Sequence, residues 1–435
     1  MPTPPSFPPF LTTIAGVPVP EIVREYGTPV FVYDEATILS RLADLECFDV
    51  VRYAQKANSN LAILSLLRKA GAKVDAVSAM DIRRALAAGF RPHVPDDEVH
   101  DIVYTADIFD REALELCVKE RIHVNCGSID MIEQLGKVLA EDPNTDWPVE
   151  ITLRINPGFG HGHSQKTNTG GPLSKHGIWF EQLDHAISTA GRYGLLVTGL
   201  HFHIGSGTDF EHLSKCCDAM ERMATLAGSG IHTISTGGGL PTVYRDTDTY
   251  VDIAKFYALW DEVRCRLEQK FQHGVTLEIE PGRYLVAESG YLIAELRAVK
   301  YQAENAFYML DAGFNNLIRP SFYGSYHPMS VCTRNGSIPT AEDAPLMDVI
   351  VGGPLCESGD IFTQSEGGFV EKRTLPRIYN GDLVIIGGAG AYSFVMGSNY
   401  NSKLFAPEVL IRDGKMVCIR RRQTFEQLIE NEILE

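Results

Sequence analysis

Between residues 51 and 282 the chain alternates eight times between a short β-like run and, for most intervals, a stretch whose apolar residues recur at helical spacing. The runs are Val51–Lys56, Lys73–Ser78, Asp101–Thr105, Ile122–Asn125, Val149–Asn156, Leu196–Ile204, His232–Thr236 and Val275–Glu280; segments such as Leu61–Ala70, Asp81–Gly89, Arg111–Glu120 and Glu181–Tyr193 carry the helical pattern. Eight such units predict a (β/α)₈ barrel of the TIM type. An open, doubly wound sheet would show the same local pattern. The chemically unusual residues, however, gather where strands end: Lys56, Asp75, Arg154, His203, the glycines 237 to 239 and Glu280. In a barrel those C-terminal strand ends form the active face.

From about residue 286 the texture becomes β-rich. Tyr291–Val299, Ala306–Ala312, Met347–Val351, Asp382–Ile386, and the pair Glu408–Arg412 and Met416–Arg420 read as strands, the last two joined by the hairpin signal Asp413-Gly414. Pro29–Tyr33 lies before the barrel and is placed with this set. The expected organisation is a barrel over 40–285 and a discontinuous β-rich domain made of 10–39 and 286–435. At 435 residues the chain exceeds what one core usually serves, which suits two domains. One long Gly/His/Ser/Thr-rich connection, Gly158–Gly177, interrupts the barrel, and loops of that length are commonly functional.

Composition narrows the class. A formal charge of −17, with Arg420-Arg421-Arg422 as the one basic run, argues against nucleic-acid or anionic-membrane partners. That run reads as a solvated strand end. The nine cysteines include no Cys-x-x-Cys pair and are odd in number, so neither a disulfide framework nor a zinc ribbon is expected, and a reducing cytoplasm is. The start, Met1 to Pro9, has no signal-peptide character, and no segment is apolar and long enough to span a bilayer.

Lys56 is the most suggestive single residue. A lysine held in a strand interior loses its charge to burial, and a neutral amine forms a Schiff base with a carbonyl such as the aldehyde of pyridoxal phosphate. Taken alone, the simpler reading is a side chain that snorkels into water. His201 and His203, two apart on a strand, face the same way and permit a metal pair with His161 or His163, which is the rival reading of a metal-dependent barrel hydrolase. Gly237, Gly238 and Gly239 offer backbone amides to a phosphate, although a plain turn would also use them. Glu280, ahead of the rigid Pro281-Gly282 turn, could keep a heterocyclic nitrogen protonated.

The stretches Tyr53-Ala54-Gln55-Lys56-Ala57-Asn58, His203-Ile204-Gly205-Ser206-Gly207, Gly237-Gly238-Gly239, Glu280-Pro281-Gly282-Arg283, Gly353-Pro354-Leu355-Cys356-Glu357-Ser358-Gly359-Asp360 and Gly390-Ala391-Tyr392 together resemble the diaminopimelate decarboxylase family. They occur in the family's order over nearly the whole chain. The resemblance implies a pyridoxal-phosphate enzyme of the alanine-racemase-like group, fold type III, that decarboxylates meso-2,6-diaminopimelate to L-lysine in the last step of lysine biosynthesis. By family match, Lys56 anchors the cofactor, His203 packs on its ring, Glu280 faces its ring nitrogen, and Ser206, Gly237, Gly238, Gly239 and Gly282 surround its phosphate. Arg283 and Tyr392 match contacts to cofactor or substrate. Arg319 and Tyr323 match the distal-end ligands of the substrate, and Cys356 the acid that returns a proton to the α-carbon. Related decarboxylases of simpler basic amino acids usually follow that cysteine with Asp; here Glu357 follows, which suits a second amino-acid head. A decarboxylase of another basic amino acid is the remaining alternative within the group.

Bland readings stand beside these. Cys356 could be a small buried hydrophobe, Arg319 a solvent-facing loop residue, and Asp75 a helix cap; neither Asp75 nor Arg154 is assigned a catalytic role. The sequence departs from the common family pattern at Gln55, at Met80-Asp81 and at His176, which leaves the role of Asp81 open. The resemblance also implies a head-to-tail homodimer in which Cys356 and Glu357 enter the partner's active site.

Overall fold

The structure, a computed structural model, describes residues 7–92, 94, 99–143, 145, 149–160, 169–203 and 210–435. It divides into two compact units, one of residues 41–241 and 251–285, the other of 1–40, 242–250 and 286–435.

The first unit is a closed barrel. Its strands are β1 (Val50–Ala54), β2 (Lys73–Ala76), β3 (Ile102–Ala106), β4 (His123–Cys126), β5 (Val149–Asn156), β6 (Leu195–His201), β7 (Thr233–Ser235) and β8 (Thr276–Ile279). Each runs parallel to its neighbours, and the β8–β1 and β5–β6 pairings complete the ring. Helices return the chain between strands, and the sequence marks several of their starts with side-chain caps. Asn60, Ser78, Asp110, Ser128 and Asp252 each accept a backbone N–H of the first turn, which satisfies a donor the helix itself leaves unpaired. Several expected strands are shorter here: β1 stops at Ala54 and β8 at Ile279. Lys56 and Glu280 therefore stand just beyond their strands.

The barrel interior is unusually polar for a space that branched apolar residues commonly fill. Arg52 on β1 grips Glu278 on β8 with two parallel bonds of 2.9 and 2.7 Å and donates a third, of 2.7 Å, to the carbonyl of His100. Both side chains are buried, Arg52 at 2% exposure and Glu278 at 8%. Strand β6 carries a register shift between Val197 and Gly199. Gly199 is required beside it, because a Cβ there would lie 2.3 Å from Thr152 Oγ1. The shift lets Thr198 and His201, three apart, line the same interior cavity.

A buried ion pair that loses one member leaves the other charge unpaired, at a cost of about 3–5 kcal/mol. Arg52→Met should therefore lower unfolding free energy by about that much in urea denaturation, and Arg52→Met with Glu278→Leu should recover most of the loss. Equal destabilisation of single and double variants would refute the pair's role.

In the second unit the N-terminal strand Val30–Asp34 lies between Gly290–Gln302, to which it is antiparallel, and Glu408–Arg412, to which it is parallel. That pairing is why this unit draws on both ends of the chain. Gly290–Gln302 continues to Asn305–Leu310, Leu346–Gly352 and Arg373–Pro376, while Leu383–Ile386 pairs with both Gly290–Gln302 and Met329–Cys332. The hairpin Glu408–Arg412/Lys415–Arg420 turns at Asp413 and Gly414 with φ of 49° and 70°, both in the left-handed region that an Asp-Gly turn supplies. Val30, Val32, Ile293, Leu383, Ile385, Val409 and Ile411 point into one core with Ile14, Val17 and Ile22.

Residues 242–250, within the span expected for the barrel, fall with this unit. Their anchor is Glu288, which accepts from Thr242 Oγ1 at 2.5 Å and from Tyr250 Oη at 2.6 Å. The basic run at 420–422 is also more than a solvated end. Arg420 pairs with the fully buried Glu408, and Arg422 donates to the carbonyls of Tyr26 and Pro29.

Candidate active site

Lys56 sits on a single 3₁₀ turn, Gln55–Ala57, immediately after β1. Gln55 and Ala57 are buried whereas Lys56 is exposed, so the expectation of an amine buried in a strand interior is corrected. The turn is fixed from outside: Gln55 Nε2 donates to the carbonyl of Asp81 at 3.0 Å, and Ala54 N–H donates to the carbonyl of Pro281 at 3.1 Å. Gly282 adjoins it closely, since a Cβ there would lie 3.2 Å from Ala57 Cβ and 3.3 Å from Ala54 Cβ. Arg283, half-buried, opens the short helix that follows.

Glu280 is 6% exposed and accepts a 2.7 Å hydrogen bond from His201 Nε2. Burial alone would raise its pKa, but His201, Arg52 and Arg154 outweigh burial and hold the carboxyl below its ordinary range. The barrel thus keeps an ionised carboxylate at the end of β8. Asp75, on β2, behaves oppositely. Burial first, then the charge of Glu280, push its pKa well above the carboxylate range, against the pull of Lys56 and of a bond from Thr105. Its Oδ1 has no partner among the described residues. Asp75 does not cap the next helix; Ser78 does, and Asp81 completes that turn by accepting from Val77 N–H at 3.2 Å. Arg154, on β5, is buried and faced by Asp107, Glu280 and Asp75.

His203 follows β6 with its ring parallel to that of His201, centroids 6.5 Å apart. The two are committed separately, which leaves little for the metal-pair reading. His201 holds Glu280, and His203 Nδ1 accepts Gly238 N–H at 2.8 Å. Burial, then the positive charge of Lys56 and Arg154, push His203 well below its ordinary pKa, so its ring is neutral. Among the described residues no three His, Cys, Asp or Glu side chains are grouped to hold a metal ion; His161, His163 and Ser206 lie outside the described residues.

The glycine run serves close backbone approach before anything else. A Cβ on Gly237 would lie 2.0 Å from the Phe202 carbonyl oxygen, and one on Gly238 would lie 2.5 Å from that of Glu280. Gly237 N–H is donated to Ser235 Oγ at 3.2 Å and Gly238 N–H to His203. Two of the three amides expected to wrap a phosphate are therefore engaged within the barrel, and Gly239, at φ +102°, keeps the backbone freedom that suits an anion.

Two contacts are not legible in the sequence. In the sequence His201 shows only as half of a histidine pair. Asp107, just after β3, accepts from His176 Nδ1 at 2.5 Å and from Gly177 N–H at 2.8 Å, pinning the end of the Gly158–Gly177 connection. His176 shows in the sequence as a departure from the family pattern; no local signal points to Asp107.

The second unit carries the other candidates. Arg319 opens the short helix Arg319–Tyr323 and is 6% exposed, which excludes the solvent-facing reading. Its Nε donates to His327 Nε2 at 3.3 Å and its Nη2 to Ser325 Oγ at 3.0 Å, while the guanidinium carbon stands 6.0 Å from the Tyr323 ring centre. Cys356 and Glu357 project from the turn Gly353–Asp360. Buried Asp360 builds that turn by accepting the N–H groups of Phe314 and Leu355 at 2.7 and 2.8 Å. Cys356 is exposed, not a buried hydrophobe, and its N–H donates to Asn401 Oδ1 at 2.7 Å. Tyr392 holds φ +56°, a left-handed conformation uncommon for a non-glycine residue and frequent at functional positions.

The barrel end therefore offers a reachable amine, a neutral imidazole face, an ionised carboxylate and a glycine-lined backbone, a set that fits pyridoxal phosphate. Residues 38–287 match the family model described as the pyridoxal-dependent decarboxylase, pyridoxal binding domain. Over 410 residues the chain is 49% identical to the diaminopimelate decarboxylase of Escherichia coli strain K12, covering 94% of this chain and 95% of that one. The chain belongs to the diaminopimelate decarboxylase family. The diaminopimelate decarboxylase of Streptomyces coelicolor is likewise 49% identical, with 94% and 90% covered. A crystal structure of a diaminopimelate decarboxylase superposes with a TM-score of 0.90 at 48% identity, covering 96% of both chains. As a diaminopimelate decarboxylase of this family, the enzyme uses pyridoxal phosphate and acts in lysine biosynthesis.

Proposed function

We propose that the barrel residues hold and tune the cofactor while residues of the second unit recognise and protonate the substrate. The observation that carries the first half is Glu280, kept ionised in a buried setting by His201, Arg52 and Arg154. Bound pyridoxal phosphate supplies an electron sink for the pair left when carbon dioxide departs. Lys56 Nζ provides the covalent anchor. Glu280 would hold the cofactor at its ring nitrogen, where an ionised carboxylate favours the protonated form, and neutral His203 would hold it at the ring face. Gly239 and the backbone at Gly282, with Ser206, contribute to the phosphate site. Arg283 and Tyr392 contact cofactor or substrate.

Arg319 gives the distal carboxylate of meso-diaminopimelate a planar guanidinium, whose paired donors lysine cannot copy. Tyr323 and Glu357 complete the recognition of that end, Glu357 as the anion for the distal ammonium. Their action would be orientation of the substrate rather than chemistry. Cys356 Sγ delivers the proton to the α-carbon, in keeping with its exposure on a projecting turn. The active form is a head-to-tail homodimer in which Cys356 and Glu357 serve the partner's cofactor. The compartment is the reducing cytoplasm, in keeping with nine scattered cysteines, an odd number with no Cys-x-x-Cys pair.

Carbon dioxide release and lysine formation from meso-diaminopimelate, assayed against ornithine and lysine as substrates, test the specificity. Release from ornithine at a comparable kcat/KM would overturn the roles given to Arg319 and Glu357. Sedimentation at assay concentrations should find a dimer, and a fully active monomer would sink the shared-site reading.

A further inference from the structure

Beneath Glu280 the barrel carries a polar cavity of about 240 Å³, open toward the strand starts where exposed Val99 and Glu150 line it. It reaches from His100, His123, Thr233 and Thr276, at the strand starts, to His201 and Glu280, at the strand ends. Such a cavity is roomy enough for several waters. His201 forms its upper wall. The side chain is 1% exposed, its Nε2 is spent on Glu280, and its Nδ1 has no partner among the described residues. Because an ionised carboxylate only accepts, Nε2 carries the hydrogen of that bond. A histidine so placed, on a strand shifted in register so that it points inward, cannot be explained by packing alone. The cavity beneath it would be filled by apolar side chains in an ordinary barrel.

We propose that His201 is a positioning residue for the decarboxylation: its Nε2–H, held from the cavity side, fixes the direction of the Glu280 carboxylate and keeps that group free of a proton. The proposal rests on the reading that Glu280 faces the ring nitrogen of the cofactor. Other charged groups act on the same carboxylate, namely Arg52 on β1, Asp75 on β2 and Arg154 on β5. The two arginines reinforce His201, and Asp75 adds no opposing charge while it stays protonated. Among the described residues His201 alone of these groups hydrogen-bonds Glu280 directly, so it sets direction as well as charge.

The test compares His201→Gln, whose longer amide reaches Glu280 as a donor, with His201→Asn, which stays polar and falls short. In the cofactor-free protein the infrared band of the protonated Glu280 carboxyl is followed against pH, assigned by its loss in Glu280→Gln. His201→Asn should move that titration upward by about one pH unit or more, whereas His201→Gln should stay near the parent. In the holoenzyme His201→Asn should lower kcat by roughly tenfold at nearly unchanged KM, with rescue by Gln. A parental titration in His201→Asn, or equal damage in both variants, would overturn the proposal. If the infrared titration moves in His201→Asn while the visible cofactor band is unaffected by both His201→Asn and Glu280→Gln, the His201 assignment stands and the placement of Glu280 against the ring fails.

Discussion

Lys56→Ala should abolish the covalent attachment of pyridoxal phosphate and reduce turnover by roughly a thousand-fold or more, the scale seen when a covalent catalyst's nucleophile is removed. Parent protein should show a visible cofactor band that borohydride reduction removes, leaving a stable label on Lys56; the variant should carry no label. Lys56→Arg sharpens the result. It retains the positive charge that acts on Asp75, Asp81 and His203, but a guanidinium stays protonated and does not attack an aldehyde. Both variants should therefore fail equally in labelling, although only Ala removes the charge. Labelled protein with the adduct on another lysine would refute the assignment. Because Lys56 is exposed, neither change should cost measurable stability.

Cys356→Ala is expected to lower kcat by about a hundred- to ten-thousand-fold, the usual weight of a single general acid. KM should change little. The substitution removes Sγ alone: the turn is held by Asp360 and by the backbone N–H that donates to Asn401, and both survive in Ala. Cys356→Ser, which keeps a weaker proton donor, should fall between. If Sγ supplies the α-proton, deuterium from heavy water should enter the product with one stereochemistry in the parent and with mixed stereochemistry in Cys356→Ala. Unchanged kcat and unchanged stereochemistry in the variant would exclude the role.

The two residues also differ in how legible they were. Lys56 stands out at a strand end, but not through burial within the strand, since its side chain is exposed. The strand closes two residues earlier, and a 3₁₀ turn fixed through Gln55 lifts the amine outward. Strand ends are decided by which backbone groups find ladder partners, and those of this end are set by other elements: Ala54 is the last residue paired with β2, opposite Asp75, and its N–H goes to the carbonyl of Pro281, far along the chain. Cys356 carried no periodic signal at all and was recognisable only within its motif.

Nearest-neighbour chemistry written along the chain determined the alternation of strand and helix, the Asp413-Gly414 hairpin, the helix caps and the motifs that name the family. Each depends on residues within a turn or two of one another. The tertiary structure alone decided that Arg52 closes on Glu278 across 226 positions and that His201 meets Glu280 across 79. It also decided that two of the three glycine amides are used inside the barrel. These outcomes follow from ring closure and from the register shift in β6, which choose the side chains that share the interior. Local periodicity says which face a side chain takes, but not which distant side chain meets it there.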